Sequence, residues 1–205
     1  MLPDSQLRTV LPTLSVISLP GPWARVIAYR HLVARRRPKP LWAGGASKNG
    51  ARFTLPGGPQ SLYLASDPAT ALTEVRSIIL HPSAPLFTIR MPPQVVVSID
   101  GVLTNIIDLT DPAIQSALGT THAELTGLWK TGSPTQVLGQ AAFDAGNIVG
   151  FKYDSAVNPP LGTCVVVFPD RVVSPSWLEV YDPDKSWYKA SHKNKNDVSI
   201  RIRLN

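Results

Sequence analysis

Proline sets the limits on what this chain can become. Twenty of its 205 residues are proline, about twice ordinary usage. They recur in close pairs at Pro20 and Pro22, Pro38 and Pro40, Pro82 and Pro85, Pro92 and Pro93, and Pro159 and Pro160. Each proline fixes φ and removes an N–H donor, so it stops a helix and is confined in sheets to edges and strand starts. Long helices are thereby excluded over most of the chain, and short strands joined by loops are favoured. An apolar fraction of 43% against 17% charged residues supplies a sizeable core. The length suits one domain, with room for an irregular N-terminal arm.

Residues 1–22 read as that arm, ending in the turn Pro20-Gly21-Pro22, and residues 23–205 as the domain. Residues 23–33 read as a strand, 34–60 as a basic and then glycine-rich loop, and 60–65 as the next strand. Asp67 suits an N-cap and Pro68 the first helical position, where a missing N–H costs nothing. The helix runs to about Leu80 and stops before His81-Pro82. Ala71, Leu72, Val75, Ile78 and Ile79 form its apolar stripe, and Glu74 lies about 40° from the edge of that stripe, beside a cleft-facing margin. Strands are predicted at 86–91, 95–99, 103–109, 149–153, 163–168, 177–181 and 198–204. Asp111 caps a short helix, residues 135–145 form another, and 119–134 are ambiguous. This mixture predicts an α+β fold of mostly antiparallel strands, not a regular parallel winding.

Several chemistries are excluded by what is missing. Cys164 is the single cysteine, so a zinc thiolate cluster and an intramolecular disulfide are both ruled out. Cys164 lies in the apolar run TCVVVF and reads as a buried small hydrophobe. The four histidines show no ligand spacing, so no metal is expected. His122-Ala123-Glu124 matches half of a zinc-deaminase signature whose other half is absent. There is no nucleophile elbow, phosphate-binding P-loop or dinucleotide fingerprint. No run approaches the ~18 apolar residues of a membrane span. The first residues lack a basic signal-peptide start, so a cytoplasmic location is expected. The net charge of +6 raises a nucleic-acid reading centred on Arg35-Arg36-Arg37 with Trp23 and Trp42 as stacking platforms. An exposed charged loop accounts for the same arginines more simply, so direct nucleic-acid binding is not expected.

What remains is a cation, an aromatic ring and a carboxylate, Arg52, Tyr63 and Glu74, spaced eleven residues apart within one loop–strand–helix unit. Tyr29-Arg30, Gly50-Ala51-Arg52-Phe53, Leu62-Tyr63-Leu64-Ala65, Ala71-x-x-Glu74-Val75 and Tyr153-Asp154-Ser155-Ala156 together resemble the RES domain family over roughly residues 23–170. The stretch TQVLGQAAFDAGNIVGFKYDSA adds to the likeness. The resemblance implies a fold similar to ADP-ribosyltransferases. It also implies degradation of NAD by hydrolysis or phosphorolysis, in bacterial toxins that often pair with a helix-turn-helix antitoxin occluding the site.

NAD would then be a substrate, not a cofactor, with inorganic phosphate as a possible co-substrate. Breaking the nicotinamide–ribose bond expels a neutral pyridine, so it needs no general acid, unlike most glycoside cleavage. One carboxylate stabilising the oxocarbenium-like ribose suffices, and Glu74 is the candidate. Arg52 and Arg30 are assigned to phosphate, for which a guanidinium fork is well shaped. Tyr63 is expected to stack on nicotinamide and Ser155 to hydrogen-bond the ribose or amide. Tyr29 and Lys48 are weaker candidates outside the catalytic set. The motif around Arg52 lacks the second glycine and the tryptophan common in the family. An asparagine expected before the last apolar strand is missing unless Asn158 replaces it. An insertion is expected around 92–134. Transfer of ADP-ribose to a macromolecule is the alternative on the same scaffold.

Overall fold

The computed structural model describes residues 1–32, 40–79, 93–157, 162–183 and 201–203, the backbone alone at 77–79 and 201–203. The order along the chain is α1 (Asp4–Val10), a short 3-10 turn (Leu11–Thr13), β1 (Ile17–Pro20), β2 (Trp23–Ala28), α2 (Tyr29–Leu32), α3 (Gly44–Asn49), β3 (Leu62–Ala65), α4 (Pro68–Ile79) and β4 (Gln94–Asp108). Then follow α5 (Pro112–Ala117), α6 (His122–Thr126), α7 (Pro134–Ala145), β5 (Gly150–Asp154), β6 (Thr163–Val167), β7 (Trp177–Val180) and β8 (Arg201–Arg203). The short, proline-limited elements and the mixed α+β character are as the sequence predicts. The strand expected at 86–91, the arginine triplet and Asn158 lie outside the described residues.

Strand pairing closes on itself. β2 pairs with β3, β3 with β6, β6 with β5, β5 with β4, and β4 returns to β2. Only the β4–β5 contact is parallel; the others are antiparallel. β4 makes this possible by serving two neighbourhoods. Its first half lies between β2 and β7, and its second half between β1 and β5. The sequence predicts two strands here, and one continuous strand is found. An extra residue relative to β1 is absorbed between Ile17 and Leu19. Asn105 lies in that stretch with φ +57°, a left-handed conformation that asparagine tolerates better than most residues.

Both faces of the circuit are dry. Successive strand residues point to opposite sides, so Leu62, Leu64, Val165 and Val167 join Ile99, Leu103 and Leu178 in one core. Ala65, Cys164, Val166, Phe151 and Tyr153 face the other way and are covered by α1, α5 and α7 through Leu7, Ile114, Leu118, Leu138 and Ala142. Burial on two faces is why the Cys164–Phe168 run is continuously apolar instead of alternating.

One expectation needs correction. Residues 1–22 are not an arm outside the domain. Leu7 and Leu11 are fully buried in the second core, and β1 pairs along β4. Leu7→Ala should therefore destabilise the protein by about 2–5 kcal/mol, read as a lowered midpoint in urea; a shift near zero would mark the helix as an appendage. The span 92–134, where an insertion is expected, supplies β4, the most shared strand, together with α5 and α6. No helix among the described residues is long and apolar enough to cross a membrane.

Candidate active site

Glu74 is brought to the sheet by its helix start. Asp67 Oδ1 accepts from Thr70 N at 2.9 Å and Asp67 Oδ2 from Thr70 Oγ1 at 2.6 Å, the N-cap predicted from Asp67-Pro68. The cap fixes the entry of α4, and Glu74 comes to rest half-buried over β5 and β6. There Ser155 Oγ donates to Glu74 Oε1 at 2.6 Å, and Cys164 Sγ lies 3.7 Å from the same oxygen. Ser155 is almost completely buried. Leu72, assigned to the apolar stripe, is instead 40% exposed, while Ala71 is buried as expected.

Arg52 sits in a tight turn. Gly50 (φ +78°) ends α3 and redirects the chain, a conformation that favours glycine. Ala51 and Thr54 then exchange backbone hydrogen bonds of 2.8 and 3.0 Å. The turn is held from outside by Gln136, a fully buried residue of α7. Its Nε2 donates to Ala51 O at 2.8 Å and to Thr54 O at 3.0 Å, while its Oε1 accepts from Gly132 N. Arg52 Nη1 donates to Leu125 O at 2.8 Å and Gly127 O at 2.7 Å, carbonyls that the end of α6 leaves without helical partners. Its charge is thus oriented by neutral groups.

Tyr63 locks the turn to the sheet. Its hydroxyl accepts from Phe53 N at 3.1 Å and lies 3.2 Å from Thr54 Oγ1. The ring is partly exposed along a cleft, but the oxygen end is enclosed. Burial pushes the phenol up to about 12, against the smaller opposing pull of Thr54, the Phe53 amide and Arg52. The folded state therefore holds this proton more tightly than the unfolded chain. The corresponding stability is intact below about pH 10 and is lost as pH rises through about 12. Denaturation series across that window should show Tyr63→Phe losing stability less steeply than the parent; equal slopes would contradict the assignment.

The charges converge on the same ground. Burial raises Tyr153 and Cys164, Glu74 raises both further, and Arg52 opposes the rise in both. Tyr153 also feels Tyr63 and packs edge-on to Phe53 at 4.9 Å between ring centres. Arg52, Tyr63, Glu74 and Ser155, separated by as many as 103 positions in sequence, are thus gathered around Tyr153 and Cys164. Among the described residues no group of three or more His, Cys, Asp or Glu is arranged to hold a metal.

Arg30 does not lie on a strand as expected. The strand predicted over 23–33 ends at Ala28, and Tyr29 and Arg30 lie exposed on the single turn α2. Arg25, on the strand itself, lines the adjoining cleft. β2 and β3 pair only at Ala24↔Ala65, and where they part they leave a cleft of about 230 Å³ lined by Arg25, Ile27, His31, Trp42, Ala46 and Tyr63 among others. Arg25 donates to Pro40 O at 3.0 Å and Trp42 O at 2.8 Å, and burial lowers it to about 10. It remains a cation at neutral pH, facing a cleft whose other wall is Tyr63. Sequence reasoning missed Arg25, Gln136 and Tyr153. Arg25 carried a signal as a charge inside an otherwise apolar strand, and Gln136 and Tyr153 lay in stretches that carry the family likeness without being assigned a role. Trp23, considered as a stacking platform, is a core residue only 5% exposed, whereas Trp42 is exposed. Lys48 is exposed on α3.

Comparison with known proteins agrees with this architecture. Seven solved chains match the structure. One comes from the crystal structure of the M. tuberculosis MbcT–MbcA toxin–antitoxin complex, with a TM-score of 0.67 and 22% identity, covering 87% of this chain and 91% of that one. No curated protein matches. The RES domain model matches residues 24–183, a span that begins at β2, ends beyond β7, and contains the arginine turn, the glutamate helix and the serine after β5. The chain belongs to the RES domain family.

Proposed function

We propose that the protein consumes NAD by cleaving the bond between nicotinamide and ribose, with water or inorganic phosphate capturing the ribosyl centre. The observation that carries this reading is the 2.6 Å hydrogen bond from Ser155 to Glu74. It fixes a carboxylate oxygen on a half-buried side chain whose charge, like that of the Arg52 guanidinium, reaches the buried Tyr153 phenol. As the C–N bond lengthens, the pyridinium becomes neutral nicotinamide and positive charge moves onto the ribose. Glu74 opposes that charge without having to reorient, because its helix cap and Ser155 have already placed it. The Ser155 hydroxyl is spent on Glu74, so its role is to position the carboxylate; contact with the ribose or amide, expected from sequence, would require it to reorient.

Arg52 and Arg25 are assigned to the anionic part of the dinucleotide, replacing the expected pair of Arg52 and Arg30. Tyr63, neutral at physiological pH, offers its ring to the nicotinamide side while its hydroxyl holds the arginine turn.

The toxin–antitoxin origin of the structural neighbour supports a role as the toxin of such a pair, with an antitoxin of helix-turn-helix type covering the cleft. Purified protein incubated with NAD, with and without phosphate, tests the reaction. Free nicotinamide together with ADP-ribose marks hydrolysis, and ADP-ribose 1″-phosphate marks phosphorolysis. Label transferred to protein or RNA would favour the transferase alternative, and intact NAD under all conditions would remove the proposal.

A further inference from the structure

The cleft between β2 and β3 holds a second feature that the cleavage reaction leaves unused. Trp42 is 39% exposed, yet its indole is closely seated. A Cβ placed on Gly44 would stand 2.8 Å from Cε2 and Cζ2, and one on Gly45 would stand 3.6 Å from Cζ3. The glycine pair lets the ring lie against the backbone at the start of α3, where a side chain would lift it off. On the backbone side, Trp42 O accepts from Arg25 Nη2, which ties the ring's position to that of the buried cation. His31 stands 5.9 Å away, centre to centre, tilted by 32°. The result is an aromatic plate with one face against the backbone, its main chain bonded to a cation that lines the same cleft.

Two sets of groups meet at Tyr63. It shares the surroundings of Tyr153 with Glu74, to which Ser155 is bonded, and it also lines the cleft with Arg25, His31 and Trp42. A dinucleotide carries a matching set: a nicotinamide ribose, a pyrophosphate and a second base. We propose that Trp42, edged by His31, is the stacking plate for the adenine ring, an inference that rests on the NAD reading above. With the scissile ribose at Glu74 and the pyrophosphate at Arg25, the base beyond the phosphates meets Trp42. A ring held flat offers stacking without an ordering cost and reads the flat faces of a purine through area alone. The plate thereby distinguishes a dinucleotide from its nicotinamide half.

Calorimetric titration of the whole protein with ADP-ribose, AMP and nicotinamide mononucleotide tests the assignment without requiring turnover. Trp42→Ala should weaken ADP-ribose and AMP by about tenfold or more, with nicotinamide mononucleotide unchanged. Trp42→Phe should recover most of the loss. Gly44→Ala, which drives a methyl against the indole, should weaken ADP-ribose with Trp42 still present. Circular dichroism establishes that each variant is folded. The inference is overturned if the parent binds no ADP-ribose, if Trp42→Ala binds it as the parent does, or if all three ligands weaken by one factor. Its fate separates from that of the reaction. Trp42-dependent ADP-ribose binding without NAD cleavage upholds the plate and defeats the enzyme. NAD cleavage with an unchanged KM in Trp42→Ala does the reverse.

Discussion

Glu74→Gln is expected to reduce NAD consumption by at least about 10²–10³-fold while leaving the fold and the affinity for ADP-ribose intact. The substitution keeps the shape of the side chain and an oxygen able to accept from Ser155 Oγ, which now lies at 2.6 Å. What it removes is the full negative charge facing the ribosyl cation, an interaction made chiefly in the transition state, so kcat should fall and KM should hold. Nicotinamide release, thermal midpoint and ADP-ribose titration measured on one preparation separate these effects. Activity within tenfold of the parent would show that the carboxylate is not the stabilising group. Loss of activity together with a fallen midpoint would instead identify Glu74 as structural.

The second large effect lies far from the substrate. Gly139 is in the middle of α7, where alanine ordinarily stabilises a helix by about 0.8–1.0 kcal/mol. Here the ideal Cβ would stand 1.9 Å from Phe53 O and 3.2 Å from Phe53 Cα. The obstacle is backbone, and it is the backbone of the turn that presents Arg52, so the strain cannot be relieved by a rotamer change. Gly139→Ala should therefore destabilise the protein by about 1–3 kcal/mol or more, and the steric cost should outweigh the propensity gain. Relief by moving α7 would also shift Gln136, which donates to both ends of the same turn, so KM for NAD should rise as well. A raised melting temperature would show that the contact is looser than described.

These two residues show what the sequence discloses and what it conceals. Glu74 was legible because its place depends on local rules: Asp67 caps, Pro68 starts, and helical geometry sets the angle from Ala71. The same holds for α7, bounded by a proline at its start and by Gly146 at φ +85°. Gly139 and Gln136 were not legible. Their importance arises from a contact across about eighty positions of chain, which neither composition nor periodicity encodes. Arg25 and Arg30 illustrate the intermediate case. Both are arginines near the same cleft, and the choice between them turned on where β2 ends. Strand ends depend on pairing partners more than on the residues themselves, and here β2 gives way to a helical turn at Tyr29. The amphipathic start of the chain was misjudged for a similar reason, since the apolar surface that receives Leu7 and Leu11 is built mainly from residues beyond 100.

Ser155 reaches Glu74 across 81 positions, and Arg52 reaches the carbonyls of Leu125 and Gly127 across 73 and 75. A nascent chain still on the ribosome with only its first hundred residues emerged carries the glutamate, the arginine and the tyrosine, but not the serine and the two carbonyls that finish placing the glutamate and the arginine. Translation itself thus delays assembly of the site until the second half of the polypeptide is out.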